Sequence, residues 1–331
     1  MKPIFICGVH KSGTSLLRSL LDGHPKLAVL PIESHFINHI GFEINYIFRR
    51  QFKTDFVLDD FFLKCNKLIE HYNNAPDFNK SDAQLNGKFD TNIFNDNLRE
   101  KINQNSSFDD MFITYCDSIF LALNQKIDIK NKRLIEKSVE NGEVALHYKK
   151  IFPNSKFIHI VRNPYANLVS LRKFKSSKGY PNIRKLISVL NDNYYNIERN
   201  KEIIGENYFL VNYEDIIEKP KHTLKDICKF LGVSYKENIL LRPTSLGEIW
   251  TGNSFDSKKT SEINSENLYK WKNHIFPMET FLLNHFLKNR IIQYGYKIYN
   301  SKNSRIKFFF PIRGENFKTY ILNRLCKYFH L

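Results

Sequence analysis

The apolar run Ile4-Phe5-Ile6-Cys7 leads straight into Gly8, Val9, His10, Lys11, Ser12, Gly13, Thr14 and Ser15, and then into Leu16-Leu17-Arg18-Ser19-Leu20-Leu21. A short buried strand, a glycine-framed turn and a helix starting near Thr14 aim several backbone N–H groups at one point. The positive end of the helix dipole adds to that field. The segment therefore reads as a loop that binds a phosphate-like anion. A nucleotide-hydrolysing loop has the form G-x-x-x-x-G-K-[ST]. Gly8 and Gly13 keep that frame, but Thr14 stands where the lysine belongs, and the loop's own lysine is Lys11.

The rest of the chain suits a strand-loop-helix start. Leu27–Leu30, Leu134–Ile135, Phe157–Val161 and Tyr208–Val211 are further strand candidates with helical segments between them. Continuous apolar strands alternating with helices predict an α/β fold, a parallel sheet flanked by helices on both faces. Each of the strongest motifs then falls at the carboxyl end of a strand, where such sheets bind ligands. Gly23-His24-Pro25 is the stop signal of the first helix, and Asn163-Pro164 suits an N-cap and first turn. His222–Gly232 reads as an amphipathic helix capped by Gly232.

Two regions resist this pattern. Residues 36–131 are polar, aromatic and weakly periodic, and read as a helical insertion after the second strand, covering the acceptor side of a cleft. Residues 242–267 are rich in Ser, Thr, Asn, Gly and Lys and mark a loop with the features of a lid. On this reading 1–300 form a single domain. The basic and aromatic tail, 301–331, is read as a packing helix, with a membrane-surface patch as the other reading.

A formal charge of +16 on 331 residues points to an anionic cofactor, an anionic polymer or an acidic membrane face. No RNA- or DNA-binding motif accompanies it, so nucleic acid is not an expected partner. The five cysteines (Cys7, Cys65, Cys116, Cys228, Cys326) are dispersed, as expected of reduced thiols in a cytoplasmic protein. No stretch approaches the roughly 20 apolar residues of a membrane span. His35 and His39 share an i,i+4 spacing without an accompanying H-E-x-x-H, and no metal is expected.

The loop at Lys11-Ser12-Gly13-Thr14 resembles the first motif of the sulfotransferases that use 3′-phosphoadenosine 5′-phosphosulfate (PAPS). The stretch from Lys11 to Pro25 is similar to that of the bacterial and tyrosylprotein-type branches. The family's second motif, Arg-[Asn/Asp]-Pro with a later serine, is matched by Arg162-Asn163-Pro164 and Ser170. The resemblance runs from about Ile4 to Tyr296, with residues 36–131 unmatched. The Arg-Lys-Gly lid motif of the cytosolic small-molecule branch is absent.

The resemblance implies PAPS as co-substrate and a hydroxyl-bearing acceptor. It implies a P-loop-like fold and a set of roles. Lys11 neutralises the bridging oxygen, and Ser12, Gly13, Thr14 and Ser15 meet the 5′-phosphate. Arg162 and Ser170 hold the 3′-phosphate, an anion suited to the guanidinium fork. Tyr213, in Tyr213-Glu214-Asp215, meets the adenine region. Glu33, in Glu33-Ser34-His35-Phe36, corresponds to the Glu-Thr-His-Phe of bacterial relatives and takes the acceptor proton. His35 is the second candidate base. Lys137 supplies a second cation, although Ser138-Val139 replaces the Thr-Pro or Asp-Pro of relatives. Trp250 to Lys259 resembles the bacterial lid.

Sulfuryl transfer develops charge on the leaving phosphate and the incoming oxygen, which lysines and backbone amides can stabilise without a metal. The expected acceptor is a carbohydrate hydroxyl, then a peptide tyrosine, then a lipid or metabolite. A nucleotide kinase, which needs a lysine at position 14, and a non-enzymatic anion-binding protein are the rival readings.

Overall fold

The computed structural model describes residues 2–45, 50–74, 85, 87–129, 131–175, 181–250, 252, 263, 265 and 268–301. The first half runs β1 (Ile4–Cys7), α1 (Thr14–Leu21), β2 (Leu27–Val29), α2 (Phe36–His39), β3 (Phe42–Asn45), β4 (Arg50–Lys53), α3 (Leu58–Asn73), α4 (Thr91–Lys101), α5 (Phe108–Ala122), β5 (Arg133–Lys137) and α6 (Asn141–Ile151). The second runs β6 (Lys156–Val161), α7 (Pro164–Lys175), α8 (Ile183–Ile204), β7 (Tyr208–Asn212), α9 (Tyr213–Glu218), α10 (Pro220–Leu231), α11 (Glu237–Leu240), β8 (Thr244–Ser245), β9 (Glu248–Ile249) and α12 (Pro277–Gln293).

Five strands form one parallel sheet in the order β2-β5-β1-β6-β7. All five were legible as apolar runs. Alternation along each strand supplies two cores. From β1, Phe5 and Cys7 enter one and Ile4 and Ile6 the other; from β6, Phe157 enters the first and Ile158 and Ile160 the second. Phe5 stacks on Tyr148 of α6 at 3.9 Å and on Phe157 at 5.4 Å, while Leu17, Leu20 and Leu21 of α1 cover the opposite face.

From β1 the chain moves to one side, towards β2; from β6 it moves to the other, towards β7. The topological switch point therefore lies between the adjacent strands β1 and β6, where open α/β sheets hold ligands beyond the strand ends. The loop of Gly8 to Gly13 and the turn at Arg162-Asn163-Pro164 both begin there.

The 36–131 segment is helical as expected, but it also contains the antiparallel β3–β4 hairpin. Its helix α5 packs directly on the sheet, with Phe112 5.8 Å from Phe5. The segment, which connects β2 to β5, thus includes a helix that packs against β1. Met111, Phe112, Tyr115, Cys116, Ile119 and Phe120 of α5, all inaccessible, recur at i, i+1, i+4 and i+5 and make one broad buried face.

Gly232 closes α10 with φ +71, as expected of a C-cap glycine. Within 242–267, β8 and β9 form a small hairpin tied to α1. Thr244 Oγ1 and the Gly247 N–H both donate to Asp22 Oδ2, at 2.7 and 2.9 Å. The lid lysines, Lys258 and Lys259, and the tail from 302 lie outside the described residues. Among those residues Cys7, Cys65, Cys116 and Cys228 are buried free thiols, and no helix is long and apolar enough to cross a membrane.

Two histidines inside the core set an acid limit on stability. His159 is fully buried; its Nε2–H donates to Asn193 Oδ1 at 2.9 Å, its Nδ1 accepts from the Tyr208 hydroxyl, and burial lowers its pKa to about 4. His39, beside Cys65 Sγ, is lowered to about 3 by burial, then by His35 and Lys64. Both native pKa values lie below the unfolded value near 6.5. Their contribution is complete above pH 6.5 and is lost as pH falls towards 4, with uptake of about two protons on unfolding near pH 5. The melting temperature is therefore expected to fall steadily from pH 6.5 to 4.5. A calorimetric series showing a constant midpoint over that range would contradict neutral, buried histidines.

Candidate active site

Helix α1 begins without a side-chain cap. Gly13 is its N-cap residue and offers no side chain, and no acidic residue lies in the first turn. The N-terminal amides and the positive dipole end are left for an external anion. Gly13 has φ +108, and a Cβ there would lie 2.2 Å from Tyr213 Cδ2, so both backbone and contact demand glycine. Tyr213, the first residue of α9, thus seals one side of the loop. Lys11 also takes a left-handed conformation, φ +64, at the crest.

Ser12 is 1% exposed, and its Oγ has no hydrogen-bond partner. Thr14 is buried and Ser15 half-buried in the first turn of α1. Arg162 donates from Nη1 to the Lys11 carbonyl at 2.7 Å and lays its guanidinium over the Tyr213 ring at 4.5 Å. Its buried Nε lacks a partner. Lys11, Ser12, Gly13, Arg162 and Tyr213 therefore meet around one loop. Ser170 stands six residues into α7, about 9 Å along its axis, outside that contact set.

Neighbours hold this arrangement: the expected N-cap Asn163 and the motif residue Glu214, joined by Asn167, Phe174 and Tyr296, which local pattern did not single out. Asn167 of α7 donates to the His10 carbonyl at 3.0 Å, and Asn163 caps α7 through Oδ1. Glu214 accepts from the Asn163 N–H at 2.9 Å and from the Tyr296 hydroxyl at 2.8 Å. The Lys11 ammonium lies 4.8 Å from the Phe174 ring centroid, with His10 5.7 Å away on that ring. Burial, then the charges of Lys137 and Arg162, lower the Lys11 pKa.

The second half of the site lies at the ends of β2 and β5. Lys137, the last residue of β5, donates to Glu33 Oε1 in the loop after β2. Burial alone would raise the Glu33 carboxyl, but Lys137 and then His35 bring it down to about 2. The Glu33 N–H donates to the Tyr72 hydroxyl at 3.1 Å, and Tyr115 donates to the Ser34 carbonyl at 3.1 Å. Helices α3 and α5 therefore pin the loop carrying Glu33. Beneath it, the wholly buried Glu136 accepts from Ser34 N, Ser34 Oγ, Ser138 Oγ and Asn141 Nδ2. Ser138 also accepts from the His35 N–H at 3.2 Å. A serine at 138, in place of the proline-containing pattern, thus joins the two loops.

His35 is not an open base. Its Nδ1–H donates to Glu140 Oε1 at 2.6 Å, and its Nε2 is 3.6 Å from Glu33 Oε2. Glu33, His35 and Glu140 place ligand atoms within 4.8 Å of one another, a spacing a metal ion could use. Lys137 and His35 already supply cations to the two carboxylates. His39 turns away to Cys65.

The chain that sets a glycine-framed loop at the switch point of its sheet, with an arginine from the next strand braced on it, matches a family model described as the sulfotransferase family over residues 3–237. The chain belongs to the sulfotransferase family. Its members are transferases of sulfuryl groups. Among solved structures, this sulfotransferase is similar to the sulfotransferase domain from the curacin biosynthetic pathway, at 21% identity and a TM-score of 0.56, covering 90% of this chain and 99% of that one. It is also similar to the sulfotransferase domain from the Synechococcus PCC 7002 olefin synthase, at 23% identity and a TM-score of 0.52, covering 87% and 94%. Both likenesses speak for the fold. One curated relative, an uncharacterised protein of Aquifex aeolicus (strain VF5), is 22% identical over 139 residues. That alignment takes in 40% of this chain and only 18% of the relative's length.

Proposed function

We propose that this sulfotransferase moves a sulfuryl group from PAPS to a carbohydrate hydroxyl by in-line transfer without a metal. The observation that carries the reading is the pair of buried polar atoms without partners, Ser12 Oγ and Arg162 Nε, at a loop that leads into an uncapped helix N-terminus. A buried donor left unpaired is costly, and a bound phosphate offers the missing acceptors. Ser12, Thr14, Ser15 and the Gly13 backbone meet the 5′-phosphate. Arg162, with Ser170 further along α7, takes the 3′-phosphate, and Tyr213 flanks the adenine.

In the transfer, the bond between sulfur and the bridging phosphate oxygen breaks as a bond forms between sulfur and the acceptor oxygen. Lys11 neutralises the oxygen that leaves, and Glu33 accepts the acceptor's proton. Glu33 starts paired with Lys137. For Glu33 to act as base, Lys137 shifts towards the sulfuryl oxygens, which releases the carboxylate and brings a second cation to the developing charge. Thr14 in the position of the nucleotide-hydrolysing lysine speaks against a kinase. The carbohydrate acceptor is favoured by the +16 charge and by Phe174, whose half-buried ring lies beside Lys11 and Lys175 at 4.8 and 5.0 Å. An aromatic face between lysines suits a sugar ring with anionic substituents.

The product 3′-phosphoadenosine 5′-phosphate (PAP) is expected to raise the melting temperature clearly and AMP only weakly. A ligand at 100 times its dissociation constant adds about 2.7 kcal/mol. Equal shifts from the two nucleotides would remove the 3′-phosphate site. Labelled PAPS, in excess EDTA, tested against sulfated glycans, tyrosine peptides and hydroxylated lipids then reads the acceptor. Transfer confined to peptides would reassign the acceptor to tyrosine, and ATP turnover that needs Mg²⁺ would favour a kinase.

A further inference from the structure

We infer that His35 is a positioning residue: an imidazolium strut clamped between Glu140 and Glu33, which holds the Glu33 carboxylate in line with Lys137. The inference rests on the proposed role of Glu33 and adds a pH-dependent regulator of it.

Three observations carry it. One edge of the ring is hydrogen-bonded, with Nδ1 2.6 Å from Glu140 Oε1, and the other faces a second carboxylate, with Nε2 3.6 Å from Glu33 Oε2. Glu140 is almost wholly buried, its side chain 1% exposed, and a carboxylate there needs a cationic or hydrogen-bonding partner. The His35 backbone is held at φ +48, a left-handed conformation that a non-glycine residue keeps only under restraint, and its N–H is tied to Ser138 Oγ. A ring held this way is poorly placed to take an acceptor's proton: Nδ1 is committed to Glu140, and Nε2 faces the Glu33 carboxylate across 3.6 Å, an ion-pair contact rather than a hydrogen bond.

The charges around the ring agree. Glu33 comes from the loop after β2, Glu136 and Lys137 from β5, Glu140 from the turn before α6, His10 from the loop after β1 and His39 from α2. Three of these are carboxylates. Burial would lower the His35 pKa, but Glu140, then Glu33 and Glu136, raise it to about 9. His35 is thus charged at neutral pH and loses its proton only near pH 9. Above that, Glu33 keeps Lys137 and loses its second cationic neighbour.

The test is a ring-nitrogen NMR titration of the full chain, with the His35 signal assigned by its absence in His35→Gln. His35 is expected to stay doubly protonated through pH 8 and to titrate near 9, and Glu140→Gln to move that titration towards the ordinary value near 6.5. A neutral His35 ring at pH 7 in the unaltered protein overturns the inference. Turnover supplies the second reading. Glu140→Gln is expected to draw the alkaline fall in kcat down by one to two pH values, and His35→Gln to reduce kcat about tenfold with unchanged PAP affinity. A Glu140→Gln profile that superimposes on the parent overturns the inference as well. If Glu140→Gln does not fold, Glu140→Asp keeps the charge at a longer reach and should move the limb part of the way. An ordinary His35 titration alongside a Glu33→Gln enzyme that has lost turnover sinks the strut and leaves Glu33 as base. The reverse pair of results sinks the base and leaves the strut.

Discussion

Lys11→Ala is expected to lower kcat by about 100- to 1,000-fold, the range seen when one charge-stabilising donor is removed from a transition state. Lys11 lies in the loop that frames the anion site, at a left-handed crest. Its pKa is already lowered by burial and by the neighbouring cations Lys137 and Arg162. A leaving phosphate oxygen would relieve that crowding, so the ammonium interacts more strongly with the developing charge than with the ground state. PAP affinity is expected to fall less than turnover, because the 5′-phosphate also meets backbone amides of α1. Lys11→Arg should restore part of the rate. Stopped single turnovers with labelled PAPS in EDTA, alongside calorimetric PAP binding, separate the two effects. Turnover within threefold of the parent in Lys11→Ala would show that another cation attends the leaving group, with Lys137 the first to examine.

Glu33→Gln should lower kcat by roughly 100-fold or more while leaving PAP affinity nearly unchanged, because the amide keeps the size and loses the proton acceptor. The same substitution removes the partner of Lys137 and one neighbour of His35. Loss of turnover alone therefore does not separate base from scaffold, and the pH profile does. With the carboxyl held down to about 2, its contribution to stability is complete above the unfolded value near 4.5 and is lost as pH falls towards 2. Lys137 must leave for Glu33 to act, so the acid limb of kcat should lie above 2 in the cofactor complex and be absent in Glu33→Gln. An unchanged acid limb in that variant would place the base elsewhere.

The strands, the glycine-framed loop before α1 and the Arg162-Asn163-Pro164 turn were legible because each is a local event. An apolar run of four to six residues, a glycine pair at fixed spacing and a proline at a helix start are all written within about ten positions. The Gly232 cap was legible for the same reason. The β3–β4 hairpin was missed, since Phe42–Lys53 carries no tight two-residue turn signal between its strands. The sheet-packing role of α5 was missed because a broad apolar face marks a helix as buried without saying what it packs against.

The active-site contacts separate along the same line. Residue types and order within Lys11 to Ser15, and the arginine after β6, follow from sequence, because backbone conformation and helix dipole are properties of a short segment. The clamp of His35 by Glu140, the pairing of Glu33 with Lys137, the buried Glu136 hub and the bracing of Arg162 on the Lys11 carbonyl join positions 102 to 151 residues apart, apart from the local Glu136–Ser138 and Glu136–Asn141 bonds. No local pattern encodes such pairs. They exist because the parallel sheet sets β1 between β5 and β6, with β2 beyond β5, and so gathers the loops at the ends of these strands at one edge. Sequence alone therefore determined that a strand, a glycine-framed loop and a helix follow one another from Ile4 to Leu21; the sheet order decided which charges surround that loop, and turned His35 from a candidate base into a partner of two carboxylates.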